Sequence, residues 1–383
     1  MASQNKLRVG VIFGGRSGEH EVSLMSARSV LHALDPEKYT VVQIGISHEG
    51  NWVTGENVLE AFVQGETDLL TPATILPDPS RQGLFLGRTN LTEGEPLQSL
   101  VELDVVFPVL HGTFGEDGTI QGLLEMAGLA YVGAGVLGSS LGMDKSVFKD
   151  VMRARNIPVL DWICVSRKEI QSDVDKVIKQ AIALADFPLF VKPANLGSSV
   201  GVTKCKSRAD LIEGLFEAAR FDRRVLIERG IPEAREIEVS VLGNDDPQVS
   251  VPGEILPSRE FYSYEAKYYD NLSELLIPAP LSPELTRQVQ DLALLAYRST
   301  DCAGMARVDF LLEREGPHGE PGRLFLSELN TIPGFTQISM YSKLWNASGL
   351  SYPALVDRLI ELALERKRER DLTETRYRRE GEV

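Results

Sequence analysis

Two neighbouring stretches decide the fold of this chain: Arg307-Val-Asp309-Phe, and, after a short connection, Leu326-Ser-Glu328-Leu-Asn330-Thr-Ile-Pro-Gly334. Both alternate apolar and polar residues, which is typical of β-strands with one buried face, and we predict that they pair in one sheet. Arg307 and Asp309 then share a face of the first strand. Glu328 and Asn330 share a face of the second, so the four side chains are predicted to converge.

This convergence predicts a magnesium site beside a cation. Two carboxylates and an amide oxygen form a hard-oxygen site that suits Mg²⁺ bridging nucleotide phosphates. The adjacent Arg307 would stabilise negative charge that develops in a transition state. An ordinary solvated strand face is the alternative. The metal site is favoured because two matched pairs and a Pro-Gly turn occur in a chain with separate phosphate-binding signals upstream.

Composition sets the class of protein. The chain has 383 residues, enough for two or three domains, and its 43% hydrophobic and 25% charged residues are ordinary globular values. The formal net charge of -15 argues against a general nucleic-acid partner, because phosphate backbones require a basic surface. We therefore expect no nucleic-acid partner.

Cysteine usage and the N-terminus bear on location. Cys164, Cys205 and Cys302 lie far apart without metal-binding spacing, so we predict buried, reduced thiols. The first residues run straight into a strand without a secretory signal, and no apolar run approaches the ~20 residues that cross a bilayer. We expect a soluble, cytoplasmic protein with no membrane partner.

The N-terminal part reads as a parallel sheet. A strand at 7–13, a helix at 23–34 and a strand at 39–46 form a βαβ opening, which implies helices on the faces of a parallel sheet. Residues 51–100 are rich in Gly, Pro, Thr and Asp and read as an irregular insertion. A glycine-rich segment at 133–138 marks the predicted end of this domain.

The remainder reads as two further regions. Helices and strands alternate up to about residue 232, and a third region with several strands follows. Its polar, tyrosine-rich segment at 258–280 has no regular period, which is typical of a functional lid. The tail after about residue 364 has no apolar face, and we predict a frayed helix end or disorder.

Phosphate-binding signals lie in the second region. A strand ends at Lys192 and continues into a loop, Pro-Ala-Asn-Leu-Gly197-Ser198-Ser199-Val-Gly201, whose backbone N–H groups and hydroxyls suit phosphate oxygens. The loop is not a Walker A sequence, and a hairpin loop without ligand is the alternative. Lys145 at a helix start opposes the helix dipole unless an anion binds nearby, although solvated lysines are common. Glu228 precedes Arg229-Gly-Ile231, a possible hinge whose backbone would pair with an adenine edge.

Two loops of the first region indicate a substrate site. Residues 14–21 follow the first strand, where Rossmann-type sheets bind ligands. The GxGxxG pattern is absent and the acidic pair would repel a pyrophosphate, so Glu19 suits an ammonium group better. His111 and Glu116 follow a later strand of the same sheet. A structural role is the alternative for this histidine.

Taken together, these motifs resemble the D-alanine–D-alanine ligases of the ATP-grasp superfamily, over nearly the whole chain from Gly14 to about Ala354. The resemblance is carried by GGRSGEHEVS (14–23), HGTFGEDGTIQGLLE (111–125), VGAGV (132–136) with MDK (143–145), KPANLGSSVG (192–201), YSYEAKYY (262–269), and ARVDF (306–310) with SELNTIPGFTQISM (327–340). Six ordered motifs at compatible spacing are far more specific than any single one.

The resemblance implies an α/β (α+β) fold with an ATP-grasp architecture. An N-terminal Rossmann-like, parallel-sheet substrate domain (1–138) would precede a central ATP-grasp subdomain (139–232) and a C-terminal one (233–383) with the lid and metal site. The implied reaction joins two D-alanines through a D-alanyl phosphate, with ATP cleaved to ADP and phosphate, for peptidoglycan precursors. A homodimer is also implied.

The resemblance assigns residues to the amino-acid substrates. Glu19 would hold the ammonium of the first D-alanine, with His111 nearby. Ser198 would form hydrogen bonds with Glu19 and Tyr268 to close the lid. The remaining contacts are an oxyanion hole of Arg307 and the Gly334 N–H, and a subsite for the second carboxylate formed by Ser339 and the Met340 backbone.

It likewise assigns residues to ATP and metal. At the phosphates, Lys145 and Lys192 would make direct contacts, Ser199 belongs to the loop that covers them, and Lys267 would approach the γ-phosphate. At the nucleoside, Glu228 and Ile231 would contact adenine, and Glu236 would bind the ribose hydroxyls. Asp309, Glu328 and Asn330 would hold two Mg²⁺ ions, with Glu328 bridging and Mn²⁺ as a substitute. The alternatives are a D-alanine–D-lactate ligase, against which the EAKY sequence of the lid argues, and a nucleotide-binding regulatory module without turnover. A Rossmann oxidoreductase lacks its glycine pattern.

Overall fold

Three β-sheets flanked by helices build the protein, as a computed structural model of the chain shows. The structure describes residues 6–87, 98–256, 274–315 and 322–374. Within these ranges the predicted α/β class is confirmed, because a sheet with a parallel centre is followed by two antiparallel sheets.

The first sheet has eight strands. Its elements are β1 (Leu7–Gly14), α1 (His20–Ala33), β2 (Tyr39–Ile46), β3 (Trp52–Thr54), α2 (Val58–Gln64), a 3-10 turn (Thr67–Leu69), β4 (Thr71–Ile75), β5 (Gly83–Leu86), β6 (Ser99–Glu102), β7 (Val105–Pro108), α3 (Thr119–Met126) and β8 (Ala130–Tyr131). The order is β6-β5-β4-β3-β2-β1-β7-β8, and β2, β1, β7 and β8 run parallel. Strand β1 is apolar because helices cover both faces of the parallel centre.

The prediction of an irregular insertion at residues 51–100 was wrong. Strands β3 to β6 extend the sheet with antiparallel pairs, and they bury Ala73, Ile75 and Leu84. These strands have three to five residues each, too few to show a clear alternation between the turn-forming residues around them. Residues 88–97 lie outside the described ranges.

The second sheet has four antiparallel strands. Its elements are α4 (Val136–Met143), α5 (Lys145–Ala154), β9 (Trp162–Ser166), α6 (Arg167–Ser172), α7 (Val174–Leu184), β10 (Leu189–Pro193), β11 (Thr203–Cys205), α8 (Arg208–Phe221) and β12 (Arg224–Arg229), in the order β11-β10-β12-β9. The side chain of Asp144 caps α5 by accepting a hydrogen bond of 3.0 Å from the Val147 N–H. The predicted boundary at residue 138 falls inside α4.

The third sheet contains the two strands that carry Arg307 and Asp309, and Glu328 and Asn330. Its elements are β13 (Arg235–Gly243), β14 (Gln248–Val249), β15 (Gly253–Leu256), β16 (Glu274–Leu276), α9 (Pro283–Ser299), β17 (Gly304–Leu312), β18 (Leu324–Asn330), α10 (Met340–Ala347) and α11 (Tyr352–Arg370). The order is β16-β15-β13-β17-β18, with β14 paired to β13. Helix α9 places Val289, Ala293 and Tyr297 four residues apart on one buried face.

The C-terminal tail is more ordered than predicted. Helix α11 continues to Arg370, beyond the point where an apolar face ends. Arg366 donates to the backbone oxygens of Tyr131 and Gly133, and Arg370 donates to that of Leu129 at 3.2 Å. Basic side chains rather than apolar ones therefore hold these last turns against the first sheet. Residues 375–383 are outside the described ranges.

Burial and helix composition bear on the predicted cysteine environment and on the predicted absence of a membrane span. Cys205 and Cys302 are buried as predicted, but Cys164 is exposed. The prediction was wrong there because Cys164 lies on β9, an edge strand of its sheet. In the part of the chain that the structure describes, no helix has both the length and the apolar character needed to cross a membrane.

Candidate active site

A cleft of about 1110 Å³ is lined by residues of the second and third sheets and by loop residues that follow strands β1 and β7 of the first. Every predicted site residue that the structure describes lines it: Glu19, His111, Lys145, Lys192, Ser198, Ser199, Glu228, Ile231, Glu236, Arg307, Asp309, Glu328, Asn330, Gly334, Ser339 and Met340. Lys267 and Tyr268 belong to residues 257–273, outside the described ranges. Sequence motifs far apart along the chain thus share one cleft.

The predicted pairing of the two polar strands is confirmed. In the antiparallel ladder of β17 and β18, Arg307 lies opposite Asn330 and Asp309 lies opposite Glu328, before a β-bulge shifts the register. The Asn330 amide donates to Asp309 at 3.0 Å and to Glu328 at 3.4 Å. Two carboxylates and the Asn330 amide therefore meet at one point, and these are residue types whose oxygens suit a hard divalent cation.

Arg307 is fixed by carboxylates on both sides. Its Nε and Nη2 each donate to Asp309 at 2.7 Å, and Nε lies 3.0 Å from Glu238 Oε2 on the adjacent strand β13. Burial alone would lower the pKa of Arg307, but these acidic neighbours outweigh it and raise the pKa well above its ordinary value. Glu238 was not predicted from the sequence. The alternation Glu236-Ile-Glu238 could have indicated it.

Glu19 connects the first sheet to the glycine-rich loop. Its carboxylate accepts a hydrogen bond from the Ser198 hydroxyl. A Cβ at Gly197 would lie 2.7 Å from Glu19 Oε2, and Gly112, with a φ of +73°, packs against the same oxygen. Only glycine permits such close approach on both sides. Two glycines and one serine thus hold a buried carboxylate that faces the cleft.

The glycine-rich loop has an unusual backbone. Ser198 and Ser199 adopt φ values of 50° and 59°, in the left-handed region that residues with a side chain rarely occupy. Conformations of this kind cluster at ligand-binding loops. Lys145 anchors the loop, since its backbone N–H donates to Ala194 O at 2.8 Å and its Nζ donates to Leu196 O at 2.5 Å.

Glu228 lies between two lysines. Its side chain is 2% exposed, and Oε2 accepts a hydrogen bond of 2.6 Å from Lys192 while Oε1 forms an ion pair with Lys149. Burial alone would raise the pKa of Glu228, but the two ammonium groups lower it to about 2. The predicted hinge thus carries a buried carboxylate. Lys149 was not predicted from the sequence, although its position one helical turn after Lys145 could have indicated it.

His111 is buried and both of its ring nitrogens are occupied. Nδ1 donates to Ile332 O at 3.0 Å, which leaves Nε2 as the acceptor for the Ser26 hydroxyl at 2.9 Å. Burial lowers the pKa of His111 to about 4, so the imidazole is neutral near pH 7. Its ring therefore connects α1 to the loop after β18.

Glu116 holds the same loop from a second direction. It accepts hydrogen bonds from the backbone N–H groups of Gly112 at 2.8 Å and Ile332 at 3.2 Å. Burial, followed by the nearby Glu19 carboxylate, raises the pKa of Glu116 to about 8. Both backbone polar groups of Ile332 are thus bound, two residues before Gly334. The sequence placed Glu116 near the substrate but gave it no role.

The start of α10 forms a further polar corner of the cleft. The Ser339 hydroxyl lies 2.8 Å from the Thr336 hydroxyl and accepts from the Thr336 N–H at 3.0 Å. Met340 begins the helix, and the first N–H groups of a helix lack intrahelical partners and favour anions. This corner can receive a carboxylate.

These sheets and this cleft define the class of protein. Two antiparallel sheets, each contributing charged side chains to one cleft beside a Rossmann-like sheet, form an ATP-grasp architecture. The chain belongs to the D-alanine–D-alanine ligase family. Family profiles described as the N-terminus and the C-terminus of D-Ala–D-Ala ligase match residues 8–134 and 151–361.

Individual relatives agree along nearly the whole chain. A D-alanine–D-alanine ligase of Natranaerobius thermophilus is 50% identical over 97% of this chain and 99% of its own, and one of Caldicellulosiruptor bescii is 46% identical over 98% and 100%. Among solved structures, the D-alanine–D-alanine ligase of Coxiella burnetii is 37% identical with a TM-score of 0.78, covering 96% of both chains. The VanG D-Ala:D-Ser ligase of Enterococcus faecalis is 33% identical with a TM-score of 0.80, covering 94% and 100%.

Proposed function

We propose that this protein joins two D-alanines into D-alanyl-D-alanine at the cost of one ATP, for peptidoglycan precursor synthesis. The observation that carries the proposal is a single cleft that holds both the Arg307, Asp309, Glu328 and Asn330 group and the pair Glu19 and Ser198. The relatives with this name, at up to 50% identity over nearly the full length, support the same activity.

The first step activates a carboxylate. A carboxylate resists attack by an amine because its leaving group would be oxide. In our proposal Glu19 binds the ammonium of the first D-alanine, and a carboxylate oxygen of that D-alanine attacks the γ-phosphorus of ATP. ADP leaves, and the product is D-alanyl phosphate, whose phosphate is a good leaving group. The buried, negatively charged setting of Glu19 suits a cationic partner.

The second step forms the peptide bond. The free amine of the second D-alanine attacks the acyl carbonyl, and phosphate departs from the tetrahedral intermediate. We assign Arg307 and the Gly334 N–H to the oxyanion, where each donor contributes about 3 kcal/mol. Ser339 and the Met340 N–H would hold the carboxylate of the incoming D-alanine, which suits the free N–H groups at the start of α10.

Asp309, Glu328 and Asn330 are proposed to hold two Mg²⁺ ions, with Mn²⁺ as a substitute. The support is the convergence of two carboxylates and an amide, since the Asn330 amide nitrogen donates to both Asp309 and Glu328 and all three side chains carry oxygen ligands. A magnesium ion bound there would neutralise phosphate charge. ATP itself is assigned to Lys145, Lys192, Ser199, Glu228, Ile231 and Glu236, all of which line the cleft. Lys267 at the γ-phosphate and Tyr268 at the lid are proposed from the family resemblance.

The identity of the second substrate is the sharpest test. One structural relative is described as a D-Ala:D-Ser ligase, so D-serine is a specific competitor, and D-lactate is another. We expect D-alanyl-D-alanine as the main product when ATP, Mg²⁺, D-alanine and equal amounts of D-serine and D-lactate are incubated with the protein. Phosphate release that does not depend on D-alanine would refute the ligase. If folded protein with Mg²⁺ binds ATP but releases no phosphate in the presence of D-alanine, a nucleotide-binding module without turnover remains.

Assembly, location and domain limits are also proposals. We propose a cytoplasmic homodimer, supported by the family resemblance. We also propose the division into residues 1–138, 139–232 and 233–383, which is supported by the three separate sheets. Light scattering after size-exclusion chromatography tests the dimer, because a monomeric mass would contradict it.

A further inference from the structure

Lys149 is a buried lysine behind the wall of the cleft. It lies on α5, and its side chain is 2% exposed. The described lining of the cleft includes its neighbours Lys145 and Phe148 but does not include Lys149. Its ammonium group forms an ion pair with Glu228 Oε1, and it lies 5.6 Å from the ring centroid of Trp162. The ammonium group of Lys149 thus reaches the site through Glu228.

The two lysines at Glu228 are not equivalent. Lys192 binds the other carboxylate oxygen and has a side-chain exposure of 18%, so it is the lysine that faces the cleft. A single carboxylate between two ammonium groups leaves one net positive charge. Without Lys149, the charge of Lys192 would be cancelled by Glu228, because a buried pair in a low-dielectric environment is strongly coupled.

The surroundings keep Lys149 in this role. Trp162 lies opposite Glu228 in the ladder between β9 and β12, so the ring and the carboxylate flank the ammonium group together. The guanidinium of Arg153 stacks 4.1 Å from the same ring centroid. Lys149 therefore reaches its partner from a fixed helix over a fixed aromatic surface.

We propose that Lys149 is a positioning residue that neutralises Glu228 and so leaves the positive charge of Lys192 available to nucleotide phosphates. The inference rests on the proposed function, because it takes ATP as the ligand of this cleft. It differs from a purely structural ion pair in one respect. Removing Lys149 must weaken phosphate binding, and removing the Glu228 charge as well must restore part of it.

Calorimetric titration of ADP with Mg²⁺ tests this in four proteins: wild type, Lys149→Met, Glu228→Gln and the double variant. We expect Lys149→Met to weaken ADP binding at least 10-fold and the double variant to recover several-fold relative to Lys149→Met. Lys149→Arg, which keeps the cation, should bind within a few-fold of wild type. Lys179→Met, an exposed lysine on α7, is the matched control and should bind like wild type.

Each outcome decides the inference. Equal ADP affinity in wild type and Lys149→Met overturns it, and so does a double variant whose loss equals the product of the two single losses. If Lys149→Met fails to fold in circular dichroism, the double variant and Lys149→Arg carry the test, since both keep the single net positive charge of the wild-type cluster, and a loss of ADP affinity of at least 10-fold in Lys149→Arg overturns the inference. A wild-type protein that binds no ADP would refute the proposed function itself, whereas normal wild-type binding with an unaffected Lys149→Met refutes only the role of Lys149.

Discussion

Arg307 donates one hydrogen bond of 2.7 Å to each carboxylate oxygen of Asp309, two residues further along the same strand. Such a two-pronged contact needs a planar guanidinium, and it sets the orientation of the arginine as well as its position. Glu238 on the neighbouring strand supports the same group at 3.0 Å. A proposed metal ligand and a proposed oxyanion donor are therefore mutually oriented before any substrate arrives.

Arg307→Lys should lower turnover by about 100-fold to 1000-fold, because a lysine keeps the charge but cannot reproduce the fork or the oxyanion contact. D-alanine-dependent phosphate release measures this. Arg287→Lys, at an exposed position on α9, is the matched control and should be unaffected. Turnover of Arg307→Lys close to wild type would show that orientation by the guanidinium is unimportant.

Glu328→Gln should reduce turnover by at least about 100-fold, because losing even an outer-shell partner of a metal site costs ~10–100-fold in affinity or activity. Binding of Mn²⁺, followed by electron paramagnetic resonance in the presence of ADP, should weaken in parallel. The fold should survive, since the change is isosteric. Glu284→Gln, on the exposed face of α9, controls for the loss of one negative charge. Normal kinetics in Glu328→Gln would contradict the metal assignment.

Gly197→Ala should impair activity through the position of Glu19. The new methyl group would meet Glu19 Oε2 at 2.7 Å, so the loop or the carboxylate must move by some tenths of an ångström. Displacements of about 1 Å at an active site cost up to ~100-fold in rate. Gly122→Ala on α3 meets nothing within 4 Å and should leave the rate unchanged. If both variants keep the wild-type rate, close packing around Glu19 does not matter for catalysis.

Stability should depend on pH through His111. Its folded pKa of about 4 lies below the ordinary value of 6.5, so the unfolded chain binds a proton more readily than the folded one between these values. This histidine therefore removes up to about 3 kcal/mol of stability as the pH falls from 7 to 4. The difference in free energy of unfolding between wild type and His111→Gln should narrow over that range.

Wild type and His111→Gln must be compared with each other because Glu116 titrates over the same pH range and changes the stability of both proteins in the opposite direction. Its folded pKa of about 8 exceeds the ordinary value, so its own contribution improves as the pH falls. Urea unfolding at several pH values supplies the measurement. His32→Gln, at an exposed histidine of α1, controls for the loss of an imidazole elsewhere in the chain. A pH-independent difference for His111→Gln would refute a buried neutral imidazole.

Long, regular elements could be predicted from the sequence. The predicted limits of β2 agree with the structure, and the pairing of β17 with β18 followed from alternation over seven to nine residues. The short strands β3 to β6 could not be predicted, because three to five residues fix no clear period. The end of α11 was missed since Arg366 and Arg370 bind carbonyl groups of another part of the chain, a tertiary effect without a local signal.

The same distinction applies to the cleft. Residues within recognisable motifs were predicted and share one cleft, because each motif carries its own local pattern. Lys149 and Glu238 were missed because their importance arises from partners on other elements, Glu228 and Arg307. The role of His111 also depends on tertiary contacts, since Ser26 and Ile332 occupy both ring nitrogens.

A cleft lined by two sheets and by the loops of a third has a thermodynamic consequence for the chain. A molecule that touches all the walls binds only when each sheet is folded and docked, so it stabilises every part of the described chain by mass action. Unfolding of any one of these parts therefore loses the whole free energy of ligand binding and not only a fraction of it. Bound nucleotide and amino acid should therefore merge separate melting steps into one cooperative transition, and saturation would convert a modular chain into a single folding unit.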